Sequence, residues 1–327
     1  MATAEGTARF RSALVAAPGH FRDFHGLSLS SIGLGTYLGS DDDATDALYR
    51  GAIARAFELG INVFDSAINY RNQRSERAIG RALASLPREQ VFLCTKGGFL
   101  PFDGARPPDV RAYFDQTYVR PGLLRWDEIV AGCHALSPRF LLDQVNRSLA
   151  NFGVGFIDLY YVHNPETQLG EVPRPEFLRR LRAAFEALER ACAEGKIGAY
   201  GTATWSGYRA APSEDEYLSL AEVLAAARDV GGQGHHFRAV QLPFNADMTE
   251  AAGLRNQAGE RTLLQAAADA GVAVFASASL LQGRLPAAQS LQHVRGTRGI
   301  LCALAGMKTR AHVEENAALA QTEVVSS

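Results

Sequence analysis

The sequence predicts an α/β protein folded as a closed (β/α)8 TIM barrel, with a short N-terminal extension or hairpin and a long loop after the third strand. Eight short apolar segments alternate with amphipathic helical segments along the 327 residues, which indicates a parallel sheet covered by helices. The first strand-to-helix turn, with Gly33, Gly35 and Gly39, lacks the Gly-x-Gly-x-x-Gly spacing of open dinucleotide-binding sheets. Closure of eight units also leaves no exposed strand edge.

The predicted strands are short runs enriched in β-branched and other apolar residues. They cover residues 31–38, 61–66, 91–96, 157–163, 199–204, 239–243, 272–276 and 300–305. No low-complexity linker interrupts them, so we expect a single domain over residues 1–327, of which the barrel occupies about 28–320.

Three helical segments between the strands have the clearest signals. Residues 139–152 and 175–194 carry apolar residues at every third or fourth position, which is the period of an amphipathic helix. Ser213 and Glu216 have the spacing of a capping box, which predicts a helix over 217–230.

Residues 97–137 interrupt this alternation. A connection of about forty residues is much longer than the usual loop between a strand and a helix, and loops of that length are generally functional or disordered. Its aromatic content favours a folded loop over the top of the barrel; the aromatic residues are Phe99, Phe102, Tyr113, Phe114, Tyr118 and Trp126.

Composition excludes several classes of function. With 33 Lys and Arg against 35 Asp and Glu, the net charge is −2, which provides no general attraction to nucleic acid or anionic membranes. No apolar run reaches the 18 residues of a membrane span, and the N-terminus lacks a signal-peptide core. The four cysteines lie far apart in the sequence, at Cys94, Cys133, Cys192 and Cys302. This spacing is expected of reduced thiols, so we expect a cytoplasmic protein.

Four ionisable residues stand at or just after the ends of predicted strands. Asp65 ends the second strand and Tyr70 follows it, while Lys96 and His163 end the third and fourth. Because the carboxyl ends of barrel strands meet at one mouth, these residues are expected to converge. Each alone has an ordinary structural explanation, such as a turn cap, a solvated lysine or a packed aromatic ring. Their joint placement favours an active site.

These residues lie in motifs that resemble those of the aldo-keto reductase superfamily. Residues 60–70, Gly-Ile-Asn-Val-Phe-Asp-Ser-Ala-Ile-Asn-Tyr, with Ser75 and Glu76 behind them, are similar to its Asp/Tyr signature. Residues 91–96 and 157–163 are similar to its lysine and histidine strands. The resemblance covers about residues 28–320, and further matches follow in family order at Gly195, Lys196, Ile197, Gln241, Glu315 and Asn316.

The resemblance implies that Asp65, Tyr70, Lys96 and His163 form a catalytic tetrad. A free tyrosine titrates near 10, so it is a slow acid at neutral pH. A neighbouring Lys96 ammonium favours the phenolate and is expected to lower that pKa, while Asp65 keeps the lysine charged and oriented. His163 is expected to hydrogen-bond the substrate oxygen. The implied reaction is reduction of an aldehyde, a ketone or a related C=N group by hydride from a nicotinamide.

The same resemblance implies a cofactor site, with two departures from the family pattern. The family's Ser-Asn pair after the fifth strand is Ala203-Thr204 here, and its aromatic-Ser-Pro-Leu run is replaced from Ser277 to Leu280. The two cations after the eighth strand favour the 2′-phosphate of NADPH, with NADH as the alternative. The implied cofactor residues are Gly35, Thr36, Thr204, Gln241, Ser277, Leu280, Gly306, Lys308, Arg310, Glu315 and Asn316.

Tyr37, Phe99 and Trp205 are the predicted substrate-binding residues, and the expected partner is a small carbonyl compound. Two other functions fit the altered cofactor motifs: a nicotinamide-binding regulatory protein with little turnover, and an isomerase or lyase that recycles its cofactor. No metal site is expected, because His235 and His236 follow a glycine-rich loop at the opposite end of the barrel.

Overall fold

A computed structural model describes residues 1–324 of the chain, and its strands form two sheets. The strands are β1 (Phe21–Phe24), β2 (Leu27–Ser30), β3 (Ile32–Gly35), β4 (Val63–Asp65), β5 (Phe92–Gly97), β6 (Ile157–His163), β7 (Ile197–Ala203), β8 (Phe237–Pro243), β9 (Ala273–Ser277) and β10 (Ile300–Gly306). β1 and β2 pair as an antiparallel hairpin. β3 to β10 pair in parallel in chain order and β10 closes on β3, which confirms the predicted eight-stranded barrel.

Helices cover the outside of this barrel. They are α1 (Ala4–Ser12), α2 (Asp43–Glu58), α3 (Arg74–Leu83), α4 (Val110–Phe114), α5 (Pro138–Phe152), α6 (Arg174–Ala193), α7 (Leu220–Gly231), α8 (Glu250–Gly253), α9 (Leu263–Asp269), α10 (Ala287–Gly296) and α11 (Arg310–Ala317). The sequence reasoning did not predict α1, which Thr3 caps by accepting a hydrogen bond from the Gly6 amide. Within residues 1–324, none of the helices combines the length and apolar character needed to cross a membrane.

The first barrel strand is shorter than predicted. The prediction extended to residue 38, but β3 ends at Gly35. Beyond it the Thr36 amide donates to the Asp65 carbonyl, and the chain then turns outward so that Tyr37 is 57% exposed. The last predicted residues of this strand therefore form part of the rim of the barrel.

The capping box predicted from Ser213 and Glu216 is wrong. α7 begins at Leu220, where the Ser219 hydroxyl accepts a hydrogen bond from the Glu222 amide. Residues 217–218 are held outside the helix by tertiary hydrogen bonds. The Tyr217 hydroxyl donates to the Asn256 carbonyl at 2.6 Å, and the Leu218 amide donates to the Gly207 carbonyl at 2.8 Å. These contacts override the local capping signal.

Aromatic side chains close the amino-terminal end of the barrel. Phe92 and Phe275 stack inside it with ring centroids 6.3 Å apart, and Tyr161 meets Phe275 edge-on. Phe24 of the hairpin packs against Phe92 with centroids 5.2 Å apart. Tyr160, the preceding residue of β6, belongs instead to the layer between the strands and the helices, as the alternation of side chains predicts. The hairpin thus forms the floor of the barrel.

The long loop over residues 97–137 is folded, as predicted. It contains α4, a π-helical turn over Asp115–Val119 and a 3-10 turn over Trp126–Glu128. The Tyr118 hydroxyl donates to the Pro101 carbonyl at 2.6 Å, and the Gln144 side chain of α5 donates to the Phe99 carbonyl at 2.7 Å. A small apolar core unites the loop; it consists of Leu100, Phe114, Tyr118, Leu124, Ala135 and Phe140.

Gly80 marks a close approach between α3 and α5. A β carbon at this position would lie 2.6 Å from the Phe152 carbonyl oxygen. We therefore expect Gly80→Ala to lower the free energy of unfolding by about 1–3 kcal/mol, because backbone overlap outweighs the better helix propensity of alanine. Urea denaturation measures the change.

Gly51 in α2 is the matched control, because a β carbon there would have nothing within 4 Å. Gly51→Ala should raise the free energy of unfolding by about 0.5–1 kcal/mol, since only the helix propensity changes. Equal effects of the two substitutions would contradict the close packing of α3 against α5.

Candidate active site

A cavity of about 850 Å³ opens at the carboxyl ends of the barrel strands. It lies within the usual volume range of ligand pockets. It brings together most of the residues predicted for a site; those that line it are Gly35, Thr36, Tyr37, Asp65, Tyr70, Phe99, His163, Thr204, Trp205, Gln241, Ser277, Leu280, Gly306, Lys308, Glu315 and Asn316.

Lys96 and Arg310, two further predicted residues, are not part of the cavity lining. The Lys96 side chain is 1% exposed and lies beneath the cavity, where it contacts residues that do line it. Arg310 is exposed at the first residue of α11. Of the aromatic side chains in the long loop, all within the described part of the chain, Phe99 alone lines the cavity.

A buried ion pair forms the base of the site. Lys96 Nζ lies 2.6 Å from Asp65 Oδ2 and donates a second hydrogen bond, also 2.6 Å, to the Ser66 carbonyl. Gln241 Nε2 donates to the other carboxylate oxygen of Asp65 at 2.9 Å. Asp65 lies beside Cys94 on neighbouring strands, and Lys96 follows two residues later on the same face of β5. Burial lowers the pKa of Lys96, but the charge and the hydrogen bond of Asp65 outweigh it and raise the pKa above its ordinary value.

Tyr70 is held over this ion pair by a hydrogen-bonded turn. The Ile68 amide donates to the Lys96 carbonyl at 3.1 Å, and the Tyr70 amide donates to the Ala67 carbonyl at 3.0 Å. Lys96 Nζ is 5.0 Å from the centre of the Tyr70 ring. Burial raises the pKa of Tyr70 above its ordinary value, and Lys96 only partly offsets that rise. The net direction is opposite to the lowered pKa expected from the sequence, so the Tyr70 hydroxyl keeps its proton at neutral pH.

His163 lies beside Tyr70 in the lining of the cavity. Its ring meets the rings of Tyr70 and Phe99 edge-on, with centroids 5.8 Å and 5.0 Å away. Burial, aided by Lys96 and His134, lowers the pKa of His163 well below its ordinary value. The ring is therefore neutral, with one N–H donor and one acceptor. Its Nδ1 is buried and has no hydrogen-bond partner among residues 1–324.

His134 and Gln168, which the sequence reasoning missed, hold the end of β6. Arg180 donates to Gln168 Oε1 at 2.7 Å, and Gln168 Nε2 lies 2.9 Å from His134 Nδ1. His134 Nε2 then donates to the His163 carbonyl at 2.8 Å. Burial lowers the pKa of His134 to about 4, so this ring is neutral. The chain of hydrogen bonds fixes the backbone of His163 from the long loop.

Glu166 is a second buried residue that the sequence reasoning missed. Its Oε1 accepts hydrogen bonds from the amides of Trp205, Ser206 and Gly207, at 2.6, 3.1 and 3.4 Å. Burial raises the pKa of Glu166 to about 7, although these amides oppose the shift. Glu166 thereby holds the segment that places Trp205, 49% exposed, at the cavity. Its position three residues after His163 was the available sequence signal.

The remaining lining fits a dinucleotide. Thr204 Oγ1 and Asn316 Oδ1 are buried and have no hydrogen-bond partner within the described chain, so both are free to bind a polar ligand. Lys308 lines the cavity just ahead of α11, where the N-terminal end of a helix favours anions. The Gln241 amide nitrogen, by contrast, is already bonded to Asp65. Its availability to a cofactor is thus reduced relative to the sequence expectation.

The fold and the site define a (β/α)8 barrel with a buried Lys–Asp ion pair and a tyrosine at a dinucleotide-sized cavity at its mouth. Residues 31–296 match the model of the Aldo/keto reductase family. The chain belongs to the aldo/keto reductase family.

Curated relatives and solved structures agree with this assignment. The chain is 32% identical over 166 residues to a D-threo-aldose 1-dehydrogenase of Pseudomonas sp, covering 50% of this chain and 44% of that protein. It is 29% identical over 182 residues to an NADH-specific methylglyoxal reductase of Escherichia coli, covering 54% and 49%. The chain thus spans about half the length of the curated relatives it matches. An aldo/keto reductase from Klebsiella pneumoniae, solved with NADP and acetate, shares the fold with a TM-score of 0.59 and 20% identity, covering 92% of this chain and 89% of that one.

The raised pKa of Glu166 makes stability depend on pH. Because this pKa is about 7 in the folded state and 4.5 is its ordinary value, the folded protein binds the proton more tightly than the unfolded chain does. The contribution of Glu166 to stability is therefore full below the unfolded pKa and is lost as the pH rises through about 7. We expect the Tm of the wild type to fall relative to that of Glu166→Gln between about pH 5 and about pH 8.

Thermal denaturation of both proteins across this range measures the difference, and the variant itself corrects for all other titrating groups. Parallel Tm profiles for the two proteins would contradict a carboxyl group that titrates near neutral pH.

Proposed function

We propose that the protein is an NADPH-dependent oxidoreductase that reduces an aldehyde, a ketone or a related C=N group, with Tyr70 as the proton donor. One observation carries the proposal: the buried Lys96 ammonium, held by Asp65, lies directly beneath a protonated tyrosine in a cavity of dinucleotide size. Membership of the aldo/keto reductase family supports the same reaction class. The cytoplasmic location stays a prediction from the sequence.

The residues divide the work at the reacting oxygen. A reduced nicotinamide, when bound, supplies the hydride. Tyr70 gives its phenolic proton to the oxygen that becomes a hydroxyl, and the Lys96 charge stabilises the phenolate left behind. Neutral His163 offers an N–H to the same oxygen and orients it, without competing for the proton. Asp65 keeps Lys96 in place through the ion pair.

The cofactor residues follow from the lining of the cavity. Thr204 and Asn316 provide unpaired polar atoms, and Lys308 provides a cation for a phosphate. The Klebsiella pneumoniae structure holds NADP, whereas the Escherichia coli relative is named as NADH-specific. Lys308 favours NADPH here, because a 2′-phosphate gains a charge-assisted hydrogen bond that NADH lacks.

Replacing Tyr70 by phenylalanine tests the proposed proton donor. Tyr70→Phe keeps the ring and its packing but removes the acidic proton, so kcat for carbonyl reduction should fall by about 10² or more while cofactor Kd is nearly unchanged. Steady-state kinetics on any accepted aldehyde or ketone measure it.

Tyr37→Phe is the matched control, because Tyr37 also lines the cavity, meets the Tyr70 ring at 5.0 Å and is 57% exposed. It should keep most of the turnover. Near-normal turnover by Tyr70→Phe would instead mean that another group donates the proton.

Lys308→Ala tests the cofactor preference. At about 100 times Kd, NADPH should stabilise the wild type by roughly 2.7 kcal/mol, and at the same concentration it should stabilise Lys308→Ala less. NADH should stabilise both proteins equally. Arg310→Ala provides the comparison, because this side chain does not line the cavity and its loss should matter less. Equal thermal shifts with NADPH and NADH in the wild type would contradict the proposed preference.

A further inference from the structure

Three consecutive residues directly after Tyr70 have left-handed backbones. Their φ angles are 48° at Arg71, 52° at Asn72 and 71° at Gln73. Residues other than glycine rarely adopt these backbone angles, and three such residues in a row are stable only where the surrounding structure holds them. Contacts with the rest of the protein must therefore stabilise residues 71–73, here called the strained turn, which directly follow the candidate proton donor Tyr70.

The side chains of the strained turn are bonded to two loops beside the cavity. Asn72 Nδ2 donates to Asp41 Oδ2 at 2.6 Å, in the loop after β3. Gln73 Nε2 donates to the Phe102 carbonyl at 2.8 Å, in the long loop. Arg71, whose side chain is 1% exposed, reaches into the loop after β3. The turn thus connects Tyr70 to both loops that form walls of the cavity.

Arg71 uses two of its three guanidinium nitrogens for this connection, and its Nη1 has no hydrogen-bond partner among residues 1–324. Its Nε donates to the Ser40 carbonyl at 2.7 Å, and its Nη2 donates to the Asp42 carbonyl at 3.2 Å. The same Nη2 pairs with Asp46 Oδ1 at 2.7 Å, which compensates the buried charge. The group also lies 5.5 Å from the ring centre of Tyr49. A lysine has a single nitrogen and cannot reproduce this set of bonds.

These bonds connect the loop after β3 to the segment that carries Tyr70. The loop that Arg71 holds carries Tyr37 and Leu38, which line the cavity, and the Tyr37 ring returns to meet the Tyr70 ring. The start of the loop is anchored separately, because Thr36 bonds to Asp65 and Ser75. Loss of Arg71 should therefore loosen residues 37–42, which would still be held by the bonds from Tyr49 to the Leu38 carbonyl and from Asn72 to Asp41. The cofactor side at Thr36 should stay in place.

We propose that Arg71 is a positioning residue: it fixes the part of the cavity wall formed by Tyr37 and Leu38 relative to the Tyr70 hydroxyl. The proposal rests on the carbonyl reduction proposed above, because it assigns Arg71 a part in placing the substrate for that reaction. Small misplacements of reacting groups reduce rates steeply. The ion pair with Asp46, the two carbonyl contacts and the left-handed backbone are together the structural basis of this role.

Comparison of Arg71→Ala with Arg71→Gly separates positioning from stability. Both remove the guanidinium, but glycine also relieves the left-handed backbone, so Arg71→Gly should have the higher Tm. We expect both variants to lose kcat/KM to the same extent, about tenfold or more, with unchanged NADPH Kd. Arg71→Lys, which keeps the charge beside Asp46, should recover part of the loss. Recovery of wild-type kcat/KM in Arg71→Gly, or a loss confined to NADPH Kd, would overturn the proposal.

Arg74→Met is the matched control, because Arg74 also pairs with Asp46, at 2.9 Å. Its second partner is the Asp43 carboxylate, whereas Arg71 bonds to the backbone carbonyls of Ser40 and Asp42. Its kcat/KM should stay normal. The same loss in Arg74→Met would assign the effect to the Asp46 pair and refute the role of the loop contacts.

Hydrogen exchange supplies a measurement that does not depend on activity. Amides of residues 37–42 should exchange faster in Arg71→Gly than in the wild type or in Arg74→Met. Unchanged exchange would overturn the proposal. If the wild type reduces no carbonyl compound, the proposed function fails, and the exchange data alone show whether Arg71 holds the loop.

Discussion

The buried ion pair between Lys96 and Asp65 is the interaction on which the mouth of the barrel depends. Two charges removed from water are tolerated only where their geometry is close and their remaining hydrogen bonds are made. Both conditions are met, because the Ser66 carbonyl and the Gln241 amide occupy the other positions around the pair. Asp65 and Lys96 lie on adjacent strands, so the pairing of β4 with β5 sets their distance. The ion pair therefore follows directly from strand register.

Around this pair, the protein controls protonation through burial. The tyrosine stays protonated and the histidine stays neutral for the same reason, since each charged form would be poorly solvated. The lysine moves the other way, because its carboxylate partner outweighs burial. One buried cation thus lies 5.0 Å from the centre of the Tyr70 ring, which in turn meets the ring of the neutral His163.

The sequence predicted the ends of β4, β5 and β6 to within one residue, because these apolar runs reach a polar residue at Asp65, Lys96 and His163. It did not reveal the direction of the Tyr70 pKa, which depends on how deeply the ring is buried. Glu166, His134 and Arg71 were missed for a related reason: their partners lie many residues away and only the folded chain brings them together. The capping box predicted at Ser213 shows the converse: the local sequence pattern is present, but tertiary hydrogen bonds prevent a helix from starting there.

The hairpin of β1 and β2 closes the amino-terminal end of the barrel. Phe24 sits under Phe92 and Phe275, so the cavity has a filled floor and its lining opens at the opposite rim. Any molecule bound in the cavity therefore enters and leaves on the side where the carboxyl ends of the strands lie.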